Sequence, residues 1–331
     1  MPSRIIFPEK GEVELERFEL PSLGPRDLRI QTLFSLMSIG TESIILHERY
    51  EPNTHFAKMF SFPQLQTGVQ AVGKIEKLGN EVDEFKEEDL IFMRMAHGSH
   101  QVLPASACSP VPVDMDKKSA CWCGLAKTAF RAASAAPFER GSHILIIGAG
   151  PVGQMAIRWA KTEGVETIAV VEISGFRLQH AKMGGANTLI QGNVADQIDA
   201  IREIDLGNGP SVIVDTTGNP DVFKHALSAA PMFGKVILLG DTGYPSRQCL
   251  TSDVISKGLS LQAVHDSHDY YGGTQRTIDE KFFANVESGQ FDVSGLISHE
   301  FSPIDCAKAY ALVNEERENV MGVLYDWRNV D

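Results

Sequence analysis

The stretch His143–Glu172, HILIIGAGPVGQMAIRWAKTEGVETIAVVE, constrains the chain more than any other. An apolar strand runs directly into Gly148-x-Gly150-x-x-Gly153, the glycines open a helix, and a second apolar strand follows. Glycine triplets arise by chance, but the strand–turn–helix–strand setting gives each one a purpose. Gly148 permits a tight turn, Gly150 lets the backbone approach a diphosphate, and Gly153 lets helix and strand pack closely. Pro151 suits the first helical position, where its missing N–H costs nothing. A diphosphate would rest on the N–H groups of that helix start, where the dipole favours anions. Glu172 ends the second strand, nineteen residues after Gly153. A carboxylate there accepts hydrogen bonds from ribose hydroxyls and repels a 2′-phosphate, so NAD is expected over NADP.

The motif heads a regular alternation of apolar strands and helices of 10–15 residues that continues to about residue 267. Such alternation predicts βαβ units and a parallel sheet covered on both faces, a doubly wound Rossmann domain. The first 118 residues read differently, as short β-prone runs (RIIF, LRIQTLFSLMS, AVGKIEKLG, DLIFM, HQVLPAS) broken by proline and glycine. The tail returns to mixed α and β. The expected division is 1–122 with 268–331 in a β-rich domain and 123–267 in the dinucleotide domain.

Bulk properties narrow the function. A formal charge of −13 excludes a phosphate-backbone binder, which needs clustered Lys and Arg. Five scattered cysteines fit reduced thiols in a cytosol better than a disulfide framework. No run of about 18 apolar residues is present and the start lacks a signal-peptide core, so a soluble cytoplasmic protein is expected, with no membrane partner.

With a β-rich domain placed before the Rossmann unit, the chain resembles the medium-chain dehydrogenase/reductase superfamily, the zinc-type alcohol and polyol dehydrogenases. The resemblance rests on MSIGTES (37–43), TGVQAVGKIEKLGNEV (67–82), GLAKTAFRA (124–132), ILIIGAGPVG (144–153), FRLQHAKMGGA (176–186) and VIVDTTG (212–218). It implies a GroES-like catalytic domain built from both chain ends, an active site in the cleft beside the Rossmann domain, and a homodimer or homotetramer. Zinc members carry Cys, His and Cys at three positions that here hold Ile39, Val69 and Gly124. Val and Ile offer no lone pair to Zn²⁺, and the four-Cys structural lobe is missing, so no zinc is expected. Within the superfamily the chain looks most like the zinc-free subgroup of bacteriochlorophyllide and sugar or cyclitol dehydrogenases.

Without a metal, oxidation of a secondary alcohol needs a protein base with a pKa near neutrality, and histidine is the natural type. His97 and His100 (MAHGSH) and His265 and His268 (VHDSHD) stand in two segments expected to face the cleft. The candidate catalytic residues are Thr41, which matches the family's proton-relaying hydroxyl, with His97, His100, His268 and Lys127. Glu42 is expected to orient its loop. Candidate cofactor contacts are Gly148, Gly150, Pro151, Val152, Gly153, Glu172, Arg177, Thr128, Thr216, Gly240 and His265. The His, Asp and Tyr residues of 265–271 suggest a hydroxyl-rich small-molecule substrate such as a sugar or cyclitol. Two other readings are an NAD(P)H-dependent enone or quinone reductase and a dinucleotide-binding regulator without catalysis.

Overall fold

The computed structural model describes every residue except Pro137, Tyr270, Tyr271 and Asp331. The chain divides into two compact units, Met1–Gly124 with Asp279–Phe283 and Val293–Asp331, and Leu125–Ile278 with Ala284–Asp292.

In the second unit six parallel strands lie in the order Thr188–Gln191, Thr167–Glu172, His143–Ile147, Val212–Asp215, Lys235–Leu238, Ser260–Ala263. Counted along the chain this is 3-2-1-4-5-6, the doubly wound order. Val212–Asp215 is buried at every position, as a central parallel strand with both faces covered must be. The strand Thr188–Gln191 is only partly covered and alternates with exposed residues, as befits the sheet's edge. Two of the expected helices are shorter than the sequence suggests. The run 193–207 gives a 3₁₀ turn, Val194–Gln197, then a helix only over Ile198–Arg202. The run 250–258 gives one turn, Asp253–Ser256, ended by Gly258 at a φ of +62°.

One buried cation ties this unit together. Arg158, on the helix Pro151–Thr162, donates to the Asp292 carbonyl, to the Gln154 carbonyl (3.1 Å) and to Gln154 Oε1 (2.8 Å). Burial pulls its guanidinium down to about 10, an effect the attraction of Asp292 only partly offsets. Trp159 beside it stacks edge-on against Phe130 and Phe291 and donates to the Ala126 carbonyl. These contacts hold Ala284–Asp292 in the second unit although the chain has by then visited the first.

The first unit is β-rich. Its larger sheet runs Ile297–Phe301, Gly322–Asp326, Asp27–Leu36, Ala71–Leu78, Leu90–Met93, Cys108–Pro110, with His100–Pro104 also paired to Asp27–Leu36. Gly322–Asp326 is antiparallel to Asp27–Leu36 with Leu324 opposite Leu36, so both ends of the chain build this sheet. A smaller sheet places Ser3–Phe7 between Glu14–Arg17 and Leu65–Gln66. Among the described residues no helix is long and apolar enough to cross a membrane.

Replacing Arg158 by Ala leaves buried carbonyl and amide oxygens without their donor. We expect a loss of about 3 kcal/mol, since each unsatisfied buried group costs about 1–3 kcal/mol. Urea unfolding checks it, and an unmoved midpoint would show that Arg158 holds nothing.

Candidate functional site

The first unit contains a carboxylate sealed inside its core. The strand Asp27–Leu36 stops two residues short of the run LRIQTLFSLMS, and Ile39–Leu46 is helical. Sequence reading does not anticipate this helix, because Ile39, Ile44, Ile45 and Leu46 extend a β-prone run. Its start is set by Glu42, whose Oε1 accepts from the Ser38 N–H at 2.6 Å, a reach-back to the N-cap that satisfies an orphan donor. The other oxygen, Oε2, accepts from Thr67 Oγ1 at 2.8 Å and from the Tyr310 hydroxyl, and lies 3.2 Å from His97 Nε2. Glu42 is 1% exposed and His97 is fully buried.

Electrostatics agree with that geometry. Burial alone would raise the Glu42 carboxyl. The attraction of His97 and hydrogen bonds from His97, Tyr310 and Thr67 outweigh it and hold the group below its ordinary value of 4.5. Tyr310 moves the other way: burial first, then the Glu42 charge, push its phenol well above the usual value. It is therefore a donor to a carboxylate. Behind His97, Nδ1 meets Ser35 Oγ at 2.7 Å, and Ser35 Oγ accepts from Trp327 Nε1 at 2.8 Å. Both ring nitrogens of His97 are thus engaged within the core.

Around this cluster converge the segments singled out in the sequence. Thr41 sits half-buried beside Glu42 in the first turn of its helix. The turn Thr67–Gln70 is held by the His97 N–H to the Thr67 carbonyl (2.7 Å) and the Leu36 N–H to the Gln70 carbonyl (3.2 Å). Gly68 takes a φ of +105°, and an added Cβ would lie 2.5 Å from His97 N, so both backbone and space require glycine. Ile39 is buried in an apolar cluster with Phe7, Met37, Tyr310 and Tyr325. Gly124 faces Gln70 and Arg94, whose guanidinium donates to the Gly124 carbonyl at 3.1 Å. Ile39, Val69 and Gly124 supply no metal donor. Among the described residues no group of three or more His, Cys, Asp and Glu could hold a metal ion. Of the nearby thiols, Cys121 donates to the Phe34 carbonyl, and burial raises it far above the usual range.

His100 takes a different place. It begins the strand His100–Pro104, with Nδ1 on Ser99 Oγ at 3.0 Å and Nε2 3.6 Å from Glu76 Oε1. Burial lowers its pKa, partly offset by Glu76. In the second unit Lys127 is buried and ion-paired with Asp266 (3.5 Å) and Asp269 (3.2 Å), and Thr128 Oγ1 lies 3.5 Å from Asp266. Arg131, one helical turn on, also pairs with Asp269 at 2.7 Å and donates to the Gly273 carbonyl. His265 and His268 are exposed and share a turn in which His268 Nδ1 accepts from the His265 N–H. Tyr270 and Tyr271 lie outside the described residues.

The glycine turn has the local geometry its pattern predicts. Gly148 has a φ of +89°, and a Cβ on Gly153 would stand 2.1 Å from the Gly148 carbonyl oxygen. At Gly150 the one atom within 4 Å of an added Cβ, among the described residues and apart from the chain neighbours, is an Arg177 guanidinium nitrogen at 3.8 Å, so the turn leaves room for a ligand. Pro151 and Val152 form the first helical residues, half-buried. Glu172 is buried with both oxygens bonded to backbone, from the Ala149 N–H (2.7 Å) and the Ser174 N–H (3.0 Å). Thr216 Oγ1 bonds the Ile147 and Gly148 carbonyls, and Gly240 packs on the backbone of 216–218 with no space for a side chain.

Residues 151–278 match the family described as zinc-binding dehydrogenase. An L-threonine 3-dehydrogenase of Symbiobacterium thermophilum is 36% identical over 37% of this chain and 34% of its own length. That of Chromobacterium violaceum is 29% identical over 70% of this chain and 65% of its own. Over residues 151–278 the chain is thus similar to the zinc-binding dehydrogenases. Its match to the family falls entirely within the second unit, and the chain spans only about a third to two thirds of the length of those relatives. Galactitol-1-phosphate dehydrogenase from Escherichia coli shares the fold, with a TM-score of 0.82 at 17% identity over 98% of this chain and 99% of that one.

Three members of this arrangement, Thr67, Tyr310 and Arg94, escape sequence reading. Arg94 alone left a signal, as a single cation inside the apolar run IFMRMA. We expect Glu42→Gln to destabilise the protein by about 3 kcal/mol at neutral pH, because one acceptor oxygen cannot serve these donors. A carboxyl depressed by folding stabilises above its unfolded pKa, and that contribution fades as pH falls through the folded value. The gap between wild type and Glu42→Gln in urea midpoint should therefore narrow below about pH 4.5. A gap that stays constant into strong acid would mean that Glu42 is not ionised in the fold.

Proposed function

We propose that this chain is a zinc-independent, NAD-linked dehydrogenase acting on a secondary alcohol of a polyol, sugar or cyclitol. One observation carries the reading. At the three positions where the resembled enzymes carry metal ligands, this chain has a buried Ile39, a Val69 and a Gly124 packed against Gln70 and Arg94. The names of the relatives, threonine and galactitol phosphate dehydrogenases, support an alcohol substrate. The space before Gly150 and the helix start at Pro151 fit a diphosphate, and Glu172 at the strand end favours NAD over NADP. NAD supplies the hydride acceptor when bound. Thr41 would take the substrate hydroxyl proton, and the Glu42–His97 network holds the helix that presents it. Fully buried His97 acts in this reading by positioning, while exposed His268 remains available for proton exchange. A cytoplasmic homodimer or homotetramer belongs to the same reading.

The test uses purified full-length protein assayed for bound metals and for NAD⁺ reduction with polyols, cyclitols and sugars, before and after treatment with a chelator. We expect turnover on at least one of these alcohols, unaffected by chelation. Activity that tracks stoichiometric zinc would sink the metal-free mechanism. Tight NADH binding with no turnover on any alcohol or enone would make the chain a regulator.

A further inference from the structure

Gln154 follows the third glycine of the turn motif, early in the helix Pro151–Thr162, and is fully buried. A buried amide is costly unless its polar atoms find partners, and an apolar side chain would fill the same volume without that demand. Here every polar atom of the amide is engaged. Nε2 donates to the Ala149 carbonyl at 2.9 Å and to the Arg177 carbonyl at 3.1 Å. Oε1 accepts from the Arg158 guanidinium at 2.8 Å. A guanidinium donates and cannot accept, so Arg158 dictates which way round the amide lies, with its oxygen toward the cation and its nitrogen toward the two carbonyls.

What the amide holds is the freest part of the turn. Ala149 stands between Gly148 and Gly150, two residues with no side chain to restrict the backbone. Its N–H donates to Glu172 Oε2 at 2.7 Å and its C=O accepts from Gln154, so buried side chains from a strand and a helix grip it on both sides. The grip passes through the next peptide bond. The Ala149 C=O and the Gly150 N–H belong to one trans peptide plane and point in opposite directions. With the carbonyl drawn inward to Gln154, the N–H of half-buried Gly150 faces away from the buried amide, beside the helix start. A flip of this peptide would set an oxygen where the nitrogen stands, and an oxygen there repels a diphosphate.

We propose that Gln154 is a positioning residue for the cofactor diphosphate, an inference that rests on the dinucleotide-binding part of the reading above. Oriented by Arg158, it locks the Ala149–Gly150 peptide with its N–H outward, so that the donor is in place before the ligand arrives. Two buried side chains, Arg158 and Gln154, thus govern a hydrogen bond that neither of them makes. Gln154→Glu would keep the pairing with Arg158 but set an anionic oxygen against the Ala149 and Arg177 carbonyls, which favours the flipped peptide. Gln154→Met would keep the volume, remove the donor and add no repulsion.

The experiment titrates NADH and ADP-ribose, which share the diphosphate, into full-length wild type, Gln154→Glu and Gln154→Met by calorimetry. Loss of a hydrogen bond to an anion should weaken both ligands by about 10–100-fold in Gln154→Glu, and less in Gln154→Met. On the best alcohol found by NAD⁺ reduction, KM for NAD⁺ should rise in step, while kcat at saturating NAD⁺ stays within about twofold of wild type. In wild type, hydrogen exchange at the Gly150 N–H, followed by NMR, should slow when ADP-ribose binds, and this measurement carries the test if neither variant folds. Binding of NADH by both variants within about twofold of wild type would overturn the proposal. So would a loss seen with NADH but not with ADP-ribose, or exchange at Gly150 that ADP-ribose leaves unchanged. A fall in kcat as large as the fall in affinity would make Gln154 a general support of the fold and overturn its positioning role. A wild type that binds neither ligand would instead remove the dinucleotide reading, and this proposal with it.

Discussion

A carboxylate buried in the core of the first unit is the interaction on which its other parts depend. An isolated charge there would be prohibitive, and Glu42 persists because its two oxygens gather partners from four separate pieces of chain. Ser38 belongs to the helix start, Thr67 to the glycine turn, His97 to the segment after a strand, and Tyr310 to a helix near the C-terminus. Each of these pieces is held in its place because the charge would otherwise lack a partner. Buried polar networks are strict in this way: they tolerate one arrangement and penalise the rest.

The half of the chain that forms the second unit was legible in the sequence almost residue by residue. Gly148 needed a positive φ, Gly153 needed a bare approach to the Gly148 carbonyl, and Pro151 needed a helix start, and all three requirements are local. The strands of that half are short, apolar and separated by helices, so the doubly wound order follows from connection rules as much as from side chains. The first unit was legible only in outline. Its strands could be read, but Tyr310 lies 268 residues from Glu42 and Trp327 lies 292 from Ser35, and no pattern in a window announces such partners. The helix Ile39–Leu46 hid inside a β-prone run for a related reason, because its start depends on a side chain reaching back rather than on an apolar period.

The histidines illustrate the limit most directly. His97 and His100 stand three residues apart in one short segment and looked equivalent. The backbone turns inward at His97 to meet the Thr67 carbonyl, whereas His100 begins a strand opposite Gln31 and reaches Glu76 across the sheet. One is a core residue, the other lies at a partly open edge, and only the register separates them. Gly124 offers the converse lesson. It looked like a missing ligand in a recognisable pattern, yet the space it leaves is filled by Arg94 and Gln70.

The split make-up of the first unit bears on how the protein is made. A ribosome delivers Glu42 and Ser35 long before their partners, Tyr310 coming 268 residues after Glu42 and Trp327 coming 292 after Ser35. Until then the nascent first unit holds a carboxylate lacking one donor and a sheet lacking the strand Gly322–Asp326. The second unit needs the chain only as far as Asp292 and so can close before it. The first unit can therefore close only after the residues of the second have been made, the reverse of the order in which the two units begin along the chain.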